Sequence, residues 1–275
     1  MSDEEKKKES SVEGTIKAVT GLVEKVPVYE DAVQPVAKEA GKALATVGKA
    51  VNAALLPLRG LVWGIEQIEE FVSTKVSEKL EKVPPENIQT PDPAVAGPAL
   101  ESLRFTGHKE SLSELYANLL ATSMDSETAR TAHPGFVEII RNLSSDEAKL
   151  LSYLINVGAQ PIVDIRQEDK TGNSGITISE CVTTLGYDAS LEHRDLIPTY
   201  LNNLERLGLI EMPRGRFLTT EGVYDRILND PSVKELEAKI NASDKHKAEF
   251  NKYYIRLSQL GRLFGAACVE SRDKT

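Results

Sequence analysis

Apolar residues return every three or four positions from Val36 to Leu80, and this stripe constrains the chain more than any other feature. Val36, Ala40, Leu44, Val47, Val51, Leu55, Leu58, Val62, Ile65, Ile68, Val72, Val76 and Leu80 share one side of a helix. Lys38, Lys42, Lys49, Asn52, Arg59, Glu66, Glu70, Lys75 and Glu81 fall between them. The spacing predicts a long amphipathic helical region, bent or broken near Pro57 and ended by Pro84-Pro85. Such a stripe has to be covered, and a neighbouring helix, a second copy or a lipid surface can each cover it.

The centre of the stripe is its most apolar part. Between Ala43 and Ile65 only Lys49 and Arg59 are charged, and the segment Ala53 to Trp63 holds the sole tryptophan. A tryptophan ring suits a membrane interface. The charge-free runs are nevertheless shorter than the roughly 20 residues that span a bilayer. Leu55, Leu58, Leu61, Val62 and Trp63 are therefore the candidate residues for binding a partner or a membrane surface. Packing within a bundle or homo-oligomer is the expected use, with interfacial binding as the alternative.

Composition narrows the partners further. The net charge of -9 argues against broad nucleic-acid binding, which needs a basic field to neutralise phosphates. The only cysteines, Cys181 and Cys268, form neither a disulfide framework nor a Cys-x-x-Cys pair, so two reduced, buried thiols are expected. Residues Met1 to Ser11 are charged and lack an apolar run, which reads as a disordered tail and not as a signal or transit peptide. Together these features suggest a cytoplasmic protein, with peripheral membrane contact as the alternative.

The expected organisation is a tail (1–11), the helical region (12–83), a Pro-rich linker (84–93) and a C-terminal domain (94–275). Within that domain helices are predicted at Pro93 to Phe105, Lys109 to Met124 and Pro134 to Asn142. Ser144 and Glu147 have the spacing of a capping box for a helix running to about Val157 and ending at Gly158. Pro161 to Arg166 reads as a strand and residues 170–175 as a loop, while Ile176 to Leu185 is a short element of open type. A helix over Leu196 to Leu207 is followed by a predicted hairpin, Leu209 to Met212 with Arg216 to Thr219. The remainder is predicted helical, with a strand at Tyr253 to Leu257 and a last helix from Ser258 to Cys268. The overall expectation is a mainly α protein with a small winged-helix-like α+β section at about 144–219.

Several motifs occur in order along this C-terminal part. They are Pro91-Asp92-Pro93-Ala94-Val95-Ala96-Gly97-Pro98-Ala99-Leu100-Glu101, Tyr116 to Asp125, His133-Pro134-Gly135-Phe136-Val137-Glu138-Ile139-Ile140, Leu143 to Ala148, and Tyr254 to Phe264. Over residues 84–268 the chain resembles the abortive-infection alpha (Abi-alpha) family, bacterial domains associated with defence against phage. The resemblance implies a defence context and carries over no catalytic residue set, cofactor or metal.

The residues themselves point to no enzyme class. Phosphate-cradling glycine loops and a Gly-x-Ser-x-Gly elbow are absent from the sequence, and no two of the four histidines have i, i+4 spacing. His133, with Asp125 and Glu127 nearby in sequence, is the one pairing that fits acid–base work, and helix-end roles explain it more simply. The predictions for catalytic, cofactor and metal residues are accordingly none. The winged-helix-like order offers Asn202, Arg206, Arg214 and Arg216 as a DNA-binding set, against acidic neighbours that include Glu205 and Asp164. Two functions follow: a non-enzymatic defence protein acting by helix-mediated association or membrane perturbation, and alternatively a DNA-binding regulator.

Overall fold

A computed structural model describes residues 65–172 and 174–270. The described residues divide into two compact units, one of 65–104 with 120–130 and the other of 105–119 with 131–270.

In the first unit the chain enters on helix α1 (65–79), where the end of the amphipathic stripe lies. Val72, Val76 and Leu80 are buried, while Ser73, Thr74 and Lys75 face solvent. Val72–Val76 is wound as a π-helical turn. Two hydroxyls accompany the widening: Ser77 Oγ donates to the Val72 carbonyl at 3.2 Å and Thr74 Oγ1 to the Glu70 carbonyl at 2.6 Å. After Pro84-Pro85 a short extended piece pairs Ile88 with Asp125, and Gln89 N donates to the Met124 carbonyl. Asp92 Oδ1 then accepts from Ala94 N at 2.8 Å and so caps helix α2 (Pro93–Thr106). The unit's buried residues include Val95, Ala96, Ala99 and Leu100 of α2.

Helix α3 (Glu110–Met124) follows; its first ten residues belong to the second unit. That unit continues with α4 (Gly135–Arg141) and α5 (Ser145–Val157). The predicted capping box is present: Ser144 Oγ accepts from Glu147 N at 3.2 Å, and Glu147 Oε2 accepts from Ser144 N at 2.7 Å. The helix ends at Gly158, whose φ of 74° is the left-handed conformation that glycine adopts without strain.

The remaining elements are β1 (Gln160–Asp169), β2 (Gly175–Val182), α6 (Leu185–Asp188), α7 (Ile197–Arg206), β3 (Ile210–Glu211), α8 (Asp225–Leu228), α9 (Pro231–Asn241), β4 (His246–Leu257) and α10 (Gln259–Cys268). The strands form one antiparallel sheet in the order β2-β1-β4-β3. Strand alternation sends Val163 and Ile165 to one face, where they share a core with Tyr224, Ile227, Val233 and Ile240 from the α8–α9 region. Ile162 and Tyr253 are paired on the opposite face and are likewise buried.

Three sequence expectations are corrected. The described residues form a mixed α+β fold, with a sheet larger than a mainly α reading allowed. Residues 246–252, within the stretch predicted helical, are strand, so that β4 begins at His246 and not at Tyr253, and Ile176 to Leu185 is mostly strand β2. The predicted hairpin of 209–212 with 216–219 does not form. Ile210 and Glu211 pair instead with Leu257 and Arg256, and 216–219 is not strand. The reason lies in β4, a 12-residue strand whose end supplies the edge that β3 needs. The chain after β3 is drawn elsewhere: Glu205 Oε1 accepts from Met212 N, and Leu218 N donates to Tyr224 Oη.

One corner of this sheet depends on a close backbone approach. Ser258 N donates to the Leu209 carbonyl at 3.0 Å, and Ser258 Oγ accepts from Gly261 N at 2.8 Å, which caps α10. A β-carbon at Gly261 would drive into the Leu209 carbonyl, so only glycine fits there.

Candidate functional site

The five candidate partner- or membrane-binding residues, Leu55, Leu58, Leu61, Val62 and Trp63, lie outside the described residues. The stripe they belong to can be followed only at its end, where Val72, Val76 and Leu80 are 2%, 0% and 0% exposed. Among the described residues, no helix is long and apolar enough to cross a membrane.

The four candidate DNA-binding residues are not equivalent. Asn202 is exposed on α7, and Arg216 is exposed on the segment after β3. Arg206 is clamped on its own helix, with Nε and Nη2 donating to Asn203 Oδ1 at 3.1 and 2.7 Å. Asn203 in turn donates to Glu147 Oε1 at 2.7 Å and to the Asn142 carbonyl at 3.0 Å, which ties α7 to the start of α5. Arg214 Nη1 donates to Asp164 Oδ2 at 2.6 Å. A guanidinium so paired has much of its charge neutralised before any phosphate arrives.

Asp164 is the centre of a buried polar cluster that the sequence did not announce. β2 carries extra residues opposite β1: Thr177 pairs with Arg166, Ser179 with Ile165 and Val182 with Val163. This bulge puts Cys181 at φ 55°, a conformation strained for a residue with a β-carbon. Asp164 Oδ1 accepts from Cys181 N at 2.9 Å and from Tyr253 Oη at 2.7 Å. The Cys181 Sγ lies 3.4 Å from the Tyr253 oxygen, and the Arg214 guanidinium sits 5.2 Å from the Tyr253 ring centre.

The electrostatics of the cluster favour stillness over reactivity. Burial pushes the Cys181 thiol up, and the Asp164 carboxylate adds to the shift. A thiol kept protonated is a poor nucleophile. Tyr253 is also pushed up, by burial and by its contacts with Cys181 and Asp164. Burial works against the Arg214 charge, but Asp164 overcomes it and holds the guanidinium charged. The cluster thus pins the segment after β3 onto the sheet, leaving Arg216 and Phe217 exposed beside it. Its sequence signal was slight: an aspartate at an inward register position of a strand, two residues after Ile162.

His133 and its acidic sequence neighbours make contacts at element ends. His133 Nδ1 accepts from Gly135 N at 3.0 Å, and the ring packs against Phe136 with centroids 5.8 Å apart. Asp125 Oδ1 accepts from Glu127 N at 3.0 Å. Both are local turns at element ends. Among the described residues, no group of histidine, cysteine, aspartate and glutamate side chains is arranged to hold a metal ion.

A second buried carboxylate anchors the turn before α7. Asp146 accepts from Glu192 N at 3.1 Å and His193 N at 2.8 Å, with Tyr200 Oη at 3.4 Å. Burial opposes its charge, yet the two backbone donors and Lys149 hold its carboxyl below the usual range. Tyr200, buried beside that charge, is pushed up to about 12.

The family model described as abortive infection alpha matches residues 64–268, which include α1 and every later element named above. The chain belongs to the abortive infection alpha family. Membership places it in the setting of abortive infection, a defence against phage. Among solved structures, an uncharacterized protein from the hydrocarbon-degrading marine bacterium Alcanivorax borkumensis SK2 is similar at 20% identity. That likeness covers 50% of this chain and 92% of the other, with a TM-score of 0.33. No curated protein sequence matches this Abi-alpha chain.

Proposed function

We propose that this Abi-alpha protein acts in phage defence by protein association, through the amphipathic region that precedes α1. One observation carries the reading: where the stripe enters the described residues, Val72, Val76 and Leu80 are used as buried packing positions. A stripe that ends as packing is most simply continued as packing, with apolar residues on one side of a helix covered by other helices. Upstream of Ile65 the same periodicity supplies Leu55, Leu58 and Val62, and a second copy of the chain offers a matching stripe.

Light scattering at micromolar concentration, paired with flotation on anionic liposomes, tests this. The expected result is a homo-oligomer that dissociates on Leu58→Glu or Val62→Glu, with phage protection lost and the fold retained. A monomer that floats with the liposomes and releases an encapsulated dye would replace association with membrane perturbation. Protection that survives both substitutions would sink either form of the reading.

A further inference from the structure

A groove of about 330 Å³ opens in the second unit between α3, α5, the turn after α6 and the end of α10. Leu115, Ala189 and Val269 give it an apolar lining, and its size sits at the small end of small-molecule sites. Asn118 is the decisive residue. Its side chain is more than nine-tenths buried, at 8% exposure, and its Nδ2 donates to the Cys268 carbonyl at 2.9 Å. That bond fixes which way the amide faces and leaves Oδ1 to the groove, where no donor among the described residues meets it. The oxygen is within reach of solvent there, so it is an acceptor that water fills until a ligand's N–H replaces it.

The other polar groups define what that something carries. Lys149 lines the same groove, and among the described residues its ammonium is held by a 3.6 Å contact with Asp146. Ser111 and Ser152 add hydroxyls. Ser152 Oγ already donates to the Ala148 carbonyl at 2.9 Å, which leaves its lone pairs to accept. Glu114 contributes a carboxylate to the wall, a feature that suits an N–H-bearing ligand better than a bare anion.

We propose that this groove binds a small molecule bearing both an N–H donor and an anionic group, the donor on Asn118 Oδ1 and the anion on Lys149. The chemistry is shared by α-amino acids and by nucleotides with an exocyclic amine. The site is independent of the association reading, because none of its residues belongs to the amphipathic stripe.

Calorimetric titration of the full chain separates the two sources. One arm uses adenosine 5′-monophosphate, with purine riboside 5′-monophosphate as the counterpart lacking only the exocyclic amine. The other uses alanine, with propionate as the counterpart lacking the amine. The expected result is saturable binding in one arm, weakened about tenfold or more in the counterpart and by Lys149→Glu, since each removes one polar contact. Ser111→Tyr should fill the groove and abolish binding. Unliganded melting temperatures within about 2 °C of the parent show that both variants fold. The proposal is overturned by no binding in either arm up to about 10 mM. Binding that ignores both substitutions, or that does not distinguish the counterparts, overturns it equally.

Discussion

Asp164 and Arg214 stand fifty positions apart in sequence, yet their side chains meet at 2.6 Å and join strand β1 to the segment after β3. The aspartate is the buried member, with its side chain 7% exposed against 56% for the arginine. Removing the two partners should therefore have unequal effects. Asp164→Ala strands the Cys181 amide and the Tyr253 hydroxyl as well as the guanidinium, at a cost of about 3 kcal/mol. Arg214→Ala leaves the buried carboxylate its Cys181 and Tyr253 donors but no counter-charge, and should cost about 1 to 2 kcal/mol. Urea denaturation of the two variants checks the order, and equal losses would show that the carboxylate is not the organising group.

That pair also shows what sequence reading could reach. The capping box at Ser144 and Glu147, the stop at Gly158 and the last helix starting after Ser258 were legible, because each rests on contacts between residues three or four apart. The hairpin after α7 was misread, since β3 takes its partner from Leu257 and Arg256, more than forty positions on. Local turn chemistry at Pro213-Arg214-Gly215 resembles a hairpin tip. The competing edge of β4 is a long-range fact that no local pattern reports. Asn118 was hidden for a related reason: in sequence it is one polar residue in a helix, and its meaning comes from a carbonyl 150 positions away.

The corner at Gly261 offers a clean contrast with Gly97. A β-carbon at Gly261 collides with the Leu209 carbonyl, which is backbone and cannot rotate aside. Gly261→Ala should destabilise the protein by about 2 kcal/mol or more, through displacement of the α10 start from β3. At Gly97, inside helix α2, an added β-carbon meets nothing within 4 Å beyond its chain neighbours, of which Pro98 is one. Gly97→Ala should change stability by less than about 1 kcal/mol, because the helix-favouring effect of alanine is offset by its β-carbon lying against the Pro98 ring. Thermal melts of both variants decide it, and shifts of equal size would contradict the packing described at the corner.

Both thiols should be silent in the folded protein. Cys268 is 0% exposed and Cys181 is 2% exposed, and burial raises both above the usual thiol range. At about pH 8 a thiol-disulfide reagent should modify neither residue until denaturant is added, after which both should react. Fast modification of Cys181 in the native state would show that the Asp164–Tyr253 cluster opens.

Acid should destabilise the fold through carboxylates such as Asp146, whose charge the native state favours. Its folded-state pKa lies below the unfolded value, so it contributes stability that is fully present above the unfolded pKa of about 4 and disappears as pH falls through the folded value. The source is the pair of backbone donors at Glu192 and His193, which need a charged acceptor to hold the turn before α7. Asp146→Asn keeps the size of the side chain and removes the titration. It should lower stability at neutral pH by about 1 to 2 kcal/mol, because an amide oxygen accepts less strongly than a carboxylate and its NH₂ faces donors. The same variant should lose less stability than the parent between about pH 4 and pH 2. Denaturation curves measured across that range give the comparison. Parallel loss in the two proteins would mean that Asp146 remains charged throughout or that its contacts contribute equally in the unfolded chain.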